Sequence, residues 1–85
     1  AIADFATAIQ LAPNQAEYYW DRGDGYHMKG NYDQAIADYN QAIQLNPNQA
    51  DYYYSRALSY RAQGQKTQAK VDEARARDLS RKGKQ

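Results

Sequence analysis

Cysteine is absent from the 85-residue sequence. Disulfides and thiolate metal sites are thereby excluded, and redox chemistry gives no clue to compartment. Long apolar runs are also missing. Nothing approaches the ~18 apolar residues that a membrane span needs, and no signal peptide is visible. Proline occurs only twice, and period-two alternation is lacking, so strands have no support. There is no glycine-rich phosphate loop, no HExxH and no nucleophile motif with Ser, His and Asp partners. Carboxylate pairs such as Asp21 and Asp24 are common on helix surfaces. The chain therefore reads as no enzyme, with no cofactor. His27 is the only histidine. With Asp24 one turn earlier it could join a metal site, but a groove-lining or surface histidine is favoured, and no metal is expected.

What is present is a soluble-globular mixture, 42% apolar and 25% charged. A compact chain of this size buries only a little over ~60% of its unfolded surface, so its core is modest. Nine of the eleven aromatics are Tyr, which packs with its ring while its hydroxyl stays wet. The net charge of +1 is unevenly spread. Residues 1–65 carry four Lys/Arg against seven Asp/Glu, and residues 66–85 carry seven against three. The second stretch could suggest nucleic acid through Lys66, Lys70, Arg75, Arg77, Arg81, Lys82 and Lys84. Asp72, Glu73 and Asp78 interrupt it, so a solvated terminal helix is favoured and nucleic acid is disfavoured. The first residue is not Met, and the sequence begins inside an apolar-periodic segment. It reads as a piece of a longer protein, with a cytoplasmic setting as the weak default.

The main feature is an internal repeat. AIADFATAIQLAPNQAEYYWDRG (1–23) recurs as AIADYNQAIQLNPNQADYYYSRA (35–57), an offset of 34 residues with 15 of 23 positions identical. Similarity continues more weakly into 58–85, where Tyr60, Gly64, Ala69, Asp72, Ala76 and Leu79 repeat Tyr26, Gly30, Ala35, Asp38, Ala42 and Leu45. Each unit reads as two helices. Asn14 before Glu17, and Asn48 before Asp51, have the form of a capped helix start with an acid in the first turn. Asn31 with Gln34 has the same form. Gly30 and Gly64 stand where a left-handed C-cap is wanted. Ala35, Ile36, Tyr39, Ala42, Ile43 and Leu45 make a helical apolar stripe, and Pro13 and Pro47 stand just beyond such stripes. The pattern predicts helices over about 1–11, 15–29, 32–45, 49–63 and 66–82. Short loops predict antiparallel neighbours. Small residues at Gly23, Ala57, Ala35 and Ala69 permit close backbone approach.

A 34-residue helix–turn–helix repeat resembles the tetratricopeptide (TPR) pattern W-x₂-L-G-x₂-Y…A-x₃-F…P. That pattern falls on Tyr19, Arg22, Gly23, Tyr26, Ala35, Tyr39 and Pro47. It returns at Tyr53, Arg56, Ala57, Tyr60 and Ala69, then departs with Glu73 and Arg81. Ala1, Phe5 and Pro13 fit a leading half-repeat. The resemblance covers about two and a half repeats: 1–12 as the second helix of an incomplete leading repeat, 13–46 complete, 47–80 with a polar capping helix, and 81–85 a basic tail. It implies an all-α fold, antiparallel helix pairs stacked in a right-handed superhelix. About three repeats usually make a stable array, so this one is marginal.

Two departures from the family pattern stand out. Arg22 and Arg56 occupy places where the family has Leu, each with an Asp 16 residues on, Asp38 and Asp72. A bridge between the two helices of each repeat is favoured slightly over a pair of solvated charges worth ~0–1 kcal/mol. Lys70, Glu73 and Arg77 replace Ile36, Tyr39 and Ile43, which makes 66–82 look like the polar terminal cap that such arrays need for solubility. At the other end, Ile2, Phe5, Ile9 and Leu11 keep the full apolar stripe. An uncovered stripe marks an interaction site, so self-association through residues 1–11, with Ile2, Phe5 and Ile9 as anchors, is expected.

The resemblance implies a protein-binding scaffold that holds a partner's peptide or helix in a concave groove lined by the first helix of each repeat. Its residues would be Glu17, Trp20, Asp24, His27, Met28, Asp51, Tyr54, Leu58 and Arg61. Trp20, Asp24 and His27 share one helical face, as do Tyr54, Leu58 and Arg61. Trp20 and Tyr54 read equally well as packing between neighbouring helices, and some of Tyr18, Tyr19, Tyr52 and Tyr53 must be core. The Lys and Asn clamp used by the family's receptors for acidic tails is replaced by Trp20, Tyr54, Asp24 and Leu58. An apolar or mildly basic segment is the expected ligand, although Arg61 weakens the charge part. The alternative is a structural, self-associating element of a longer array without a peptide ligand.

Overall fold

The computed structural model describes residues 2–82. Five helices follow in order: α1 (Ile2–Leu11), α2 (Ala16–Met28), α3 (Tyr32–Leu45), α4 (Ala50–Ala62) and α5 (Lys66–Lys82), and no strand occurs among the described residues. Ala1 of the leading half-repeat, Lys84 of the basic set and residues 83–85 of the basic tail lie outside the described residues.

The helix ends show which local signals act. Gly30 and Gly64 both adopt φ 81°, a left-handed conformation that costs glycine little. Each closes a two-bond cap. Gly30 N–H donates to His27 O at 2.9 Å and Asn31 N–H to Tyr26 O at 2.9 Å; Gly64 and Gln65 repeat these bonds to Arg61 and Tyr60 at 3.0 and 2.9 Å. This is the Schellman arrangement, and it satisfies carbonyls the helix leaves open. The starts differ from expectation. Gln15 and Gln49, not Asn14 and Asn48, are the N-cap residues, and neither makes a side-chain cap bond. Asn31 holds the N-cap position of α3 but also makes no side-chain cap bond. The physical reason is the turn after each proline. It carries the chain one residue further before the helix begins, and the first-turn amides of Tyr18 and Tyr52 bond to the carbonyls of Gln15 and Gln49 at 3.2 Å.

Consecutive helices pack against one another, and α4 also touches α2, whereas α1, α3 and α5 do not touch among themselves. The molecule is a slab, 34 × 32 × 16 Å. Its core is built from small residues and tyrosine. Ala35, Ala42, Ala57 and Ala69 are fully enclosed, with Tyr39, Tyr52 and Tyr53 beside them. Tyr52 and Tyr53 of α4 are thus core, while Tyr18 and Tyr19 of α2 are half-buried. Alanine at these crossings lets two backbones meet without a cavity.

Gly23 shows the closeness required. A Cβ there would lie 2.7 Å from Tyr39 Cε1 and 3.2 Å from Ala35 O. One repeat later Ala57 is tolerated, because the residue facing it in register is Glu73 rather than Tyr39.

Polar staples join the helices of each pair. Arg22 grips Asp38 with two bonds, at 2.8 and 2.7 Å, and Arg56 grips Asp72 with the same two distances. The bridges expected from the double recurrence are present. Both acids are buried. Fork-to-carboxylate geometry suits arginine, and each guanidinium also lies near an aromatic ring, Tyr19 at 6.0 Å and Tyr53 at 5.6 Å. Bonding to the carboxylate raises the pKa of both arginines, so both remain charged. The same rings anchor the loops: Tyr19 OH donates to Pro13 O at 3.1 Å and Tyr53 OH to Pro47 O at 2.9 Å.

Candidate functional site

The first helices of the two repeats, α2 and α4, lie side by side and carry all nine residues expected to bind a partner. They divide into two groups. Trp20, Asp24 and His27 are half-buried and engaged in packing. Trp20 Nε1 donates to Ser55 Oγ at 2.9 Å, and its ring centre lies 5.4 Å from that of Tyr52. His27 Nδ1 is 2.8 Å from Ser59 Oγ, and its ring meets Tyr32 edge-on at 5.1 Å. Asp24 Oδ1 accepts the hydroxyl proton of Tyr39 at 2.5 Å. Burial, reinforced by that bond to an anion, raises the Tyr39 pKa, so the phenol stays a donor. The Trp20 and Ser59 contacts seat α4 on α2, those to Tyr32 and Tyr39 tie α2 to α3, and together they leave only part of each side chain facing outward.

The other six are exposed. Met28 is 85% exposed, Tyr54 55% and Leu58 42%, and Glu17 and Asp51 stand in the first turns of their helices. Arg61 does not reach out freely, because both Glu73 carboxylate oxygens accept from its Nη2 at 2.8 Å. The charge that weakens an acidic reading of this face is therefore paired.

Sequence reasoning missed three residues here. Asp21 was set aside as an ordinary surface carboxylate. Its pKa is raised, first by burial and then by repulsion from Glu17 and Asp24. The Tyr52 pKa is also raised, chiefly by burial and further by Glu17, Asp21 and Asp51. Acids from α2 and α4 thus share one field, and the spacing of Glu17, Asp21 and Asp24 along one helix face carried the signal. Ser55 and Ser59 are the other two. As small polar positions on α4 they carried no signal, because their partners lie on another helix.

No group of three His, Asp or Glu among the described residues is arranged to hold a metal ion, and His27 is committed to Ser59. Of the basic set on α5, Arg75, Arg81 and Lys82 surround Asp78 at 3.9, 4.0 and 3.5 Å. Arg75 also lies 5.8 Å from the Tyr53 ring. At the other end of the molecule, α1 rests on α2 with Ile2, Phe5 and Ile9 half-buried and Leu11 82% exposed.

Two helix pairs thus recur on a 34-residue period, with Gly or Ala at the crossings. Residues 23–64 match the family model described as TPR repeat. Residues 23–64 are therefore of the tetratricopeptide type. No curated protein matches the sequence. Among solved structures, two described as MamA superpose with TM-scores of 0.92 and 0.89, at 28% and 29% identity. Both alignments cover 96% of this chain, and 48% and 45% of the MamA chains, so the chain spans about half their length. A third, MamA MSR-1, superposes with a TM-score of 0.93 at 22% identity over 98% of this chain and 48% of that one, and supports the fold alone. Tetratricopeptide repeats form a scaffold for protein–protein interaction, on a fold that is generally non-catalytic. No helix among the described residues is long and apolar enough to cross a membrane.

Proposed function

We propose that this tetratricopeptide module docks an apolar or mildly basic segment of a partner protein along the face formed by α2 and α4. The observation that carries the reading is the placement of Met28, Tyr54 and Leu58, large apolar side chains left exposed, on helices whose acids Glu17, Asp21, Asp24 and Asp51 share one field. Aromatic and Met side chains are enriched at interfaces. Trp20 and His27 tie α2 to α4, Asp24 ties α2 to α3, and all three offer only their outer edges, so their part is mainly positioning. Glu17 and Asp51 supply charge for a Lys or Arg of the ligand.

The test is selection of a binding peptide from a displayed library, followed by calorimetry on variants. Met28→Ala and Leu58→Ala each weaken the selected peptide by about ten-fold, the scale of a lost apolar anchor. Selected peptides that ignore both substitutions would refute this reading, and preference for Asp/Glu over Lys/Arg at this face would refute its charge component.

One observation favours the second reading, self-association through the N-terminal helix. Among the described helices α1 is the only one that buries no residue. In that reading Ile2, Phe5 and Ile9 seek a helix from a second copy or a neighbouring repeat. Sedimentation across a concentration series then shows dimer for the wild type and monomer for Phe5→Asp. Monomer for both would eliminate it.

A further inference from the structure

The internal repeat places two equivalent surfaces in one molecule, and only one of them is covered. The first is the surface that α2 and α3 present to α4. Tyr39 and Ala42 of α3 are enclosed there, and Trp20 and His27 of α2 bond to Ser55 and Ser59 of α4. The second is the surface 34 residues on, formed by α4 and α5. It is an open groove of ≈ 720 Å³. Ala50, Tyr54 and Ala76 line it, in register with Ala16, Trp20 and Ala42. Tyr54 is 55% exposed. The first surface therefore shows what shape fits the second: a helix parallel to α4 and antiparallel to α5.

The chemistry of the second surface has changed in one direction. Where α3 has Tyr32, Ile36 and Ile43, α5 has Lys66, Lys70 and Arg77, and Arg81 stands in the place of Pro47. Lys66, Lys70, Arg77 and Arg81 are spaced four, seven and four residues apart, which sets them along one side of α5. All four are exposed. Lys66, Lys70 and Arg77 have no ion-pair partner among the described residues, and Arg81 has only Asp78 at 4.0 Å. Two acids also border the groove. Glu73 is held by Arg61 in a bidentate pair, and Asp51 sits in the first turn of α4 beside the amide ends of that helix. The groove thus has an apolar floor and a cationic wall of Arg77 and Arg81, with Lys66 and Lys70 further along the same side of α5.

We propose that the groove between α4 and α5 is a docking site for an acidic amphipathic helix of a partner protein. The apolar edge of that helix packs on Tyr54 and Ala76. Its acids, spaced three or four apart, face Lys70, Arg77 and Arg81. The model for its inner edge is α4 itself, which sets Tyr52, Ser55 and Ser59 against the preceding pair at positions i, i+3 and i+7. This site shares Asp51 and Tyr54 with the α2/α4 face and differs from it in its other residues. Met28 and Trp20 belong only to that face, Arg77 and Arg81 only to this groove.

The test uses two short helix-forming peptides that carry the Tyr52, Ser55, Ser59 spacing, one flanked by Glu and the other by Lys, with affinity read by fluorescence anisotropy. The Glu peptide binds the wild type, more weakly as salt rises. The double variant Arg77→Glu, Arg81→Glu weakens it about ten-fold or more and gains affinity for the Lys peptide. Circular dichroism checks that the variant keeps its helices, and Met28→Ala leaves the Glu peptide unaffected. Equal affinity of the two peptides, or indifference to the double reversal, would overturn the proposal. So would capture of a single-stranded oligonucleotide in place of the Glu peptide, which would assign the wall to nucleic acid. A wild-type dimer that the double reversal dissociates would assign the groove to a second copy and overturn it as well.

Discussion

The two helix pairs, α2 with α3 and α4 with α5, share a register and a scaffold but not a surface. Both carry the Arg–Asp staple, the Tyr-to-Pro loop anchor and the glycine C-cap, at distances that agree within 0.2 Å. They part company on the side where a following helix would sit. The first pair offers Ile36, Tyr39 and Ile43 and is covered by α4. The second offers Lys70, Glu73 and Arg77 and is open. In a repeat protein each unit contacts only its neighbours, so staples hold the unit while the outer side chains decide what stacks on it. Stability and recognition are therefore written on different residues of the same helices.

The comparison is broken most severely at register-equivalent positions 39 and 73. Tyr39 is 1% exposed and Glu73 half-buried. Tyr39→Ala removes a packed ring and leaves Asp24 without its donor, costing about 3–5 kcal/mol in urea unfolding. Glu73→Ala costs about 1 kcal/mol or less, the value of a partly exposed pair. Since a domain of this size holds only ~4–12 kcal/mol in total, the first variant is close to unfolded at room temperature.

Next come the staples. Arg56→Leu leaves Asp72, whose side chain is 5% exposed, without its counter-charge, and costs about 2–3 kcal/mol. Arg22→Leu follows closely, because Asp38 is 7% exposed. Replacing both members, Arg56→Leu with Asp72→Leu, recovers most of the loss, since a buried ion pair is worth little against apolar residues of similar volume. Thermal melts of the single and double variants measure this coupling.

At positions 23 and 57 the effect is smaller, and at 23 it runs opposite to helix propensity. Gly23→Ala gains ~1 kcal/mol of propensity but forces the Cβ into Tyr39, for a net loss of about 1–2 kcal/mol. Ala57→Gly simply loses about 1 kcal/mol. Both are read from the midpoint of chemical unfolding.

The smallest effect concerns the acidic face of α2. Burial and the neighbouring acids raise the Asp21 pKa above the ordinary 3.8. A raised acid pKa means that the folded chain binds the proton more tightly than the unfolded one, so stability is lost as pH rises through this range. Asp21→Asn escapes that loss. It melts slightly higher than wild type at neutral pH, and the difference disappears below the ordinary carboxylate value. A melting series from acid to neutral pH checks it.

Much of the fold was legible, for reasons specific to certain residues. The apolar stripe of α3, Gly30 and Gly64 located the helices, because periodicity and positive φ are local properties. The Arg22–Asp38 and Arg56–Asp72 staples were legible because the same pair recurred at the same offset. Caps were not. Asn14 and Asn48 lie one residue outside the true N-caps, and the backbone turn after proline, not the side-chain oxygen, closes the first amides. The candidate site was half legible. Leu58 and Met28 are exposed, as the family resemblance implied, and Tyr54, which read equally well as groove or core, is exposed too, while the orientation of Trp20 depended on Ser55 in another helix. The Asp24–Tyr39 and His27–Ser59 bonds have the same character: each joins residues on different helices, and neither partner signals the other in sequence.

The central claim is that α2 and α4 together present the partner-binding face. The direct measurement is a titration of the isotope-labelled chain with a library-selected apolar or basic peptide, following every backbone amide by NMR. The account predicts saturable shifts concentrated on Glu17, Asp21, Met28, Asp51, Tyr54 and Leu58, with α1 and the outer side of α3 unmoved. Shifts confined to α1 or to the outer side of α3, with α2 and α4 silent, would contradict it.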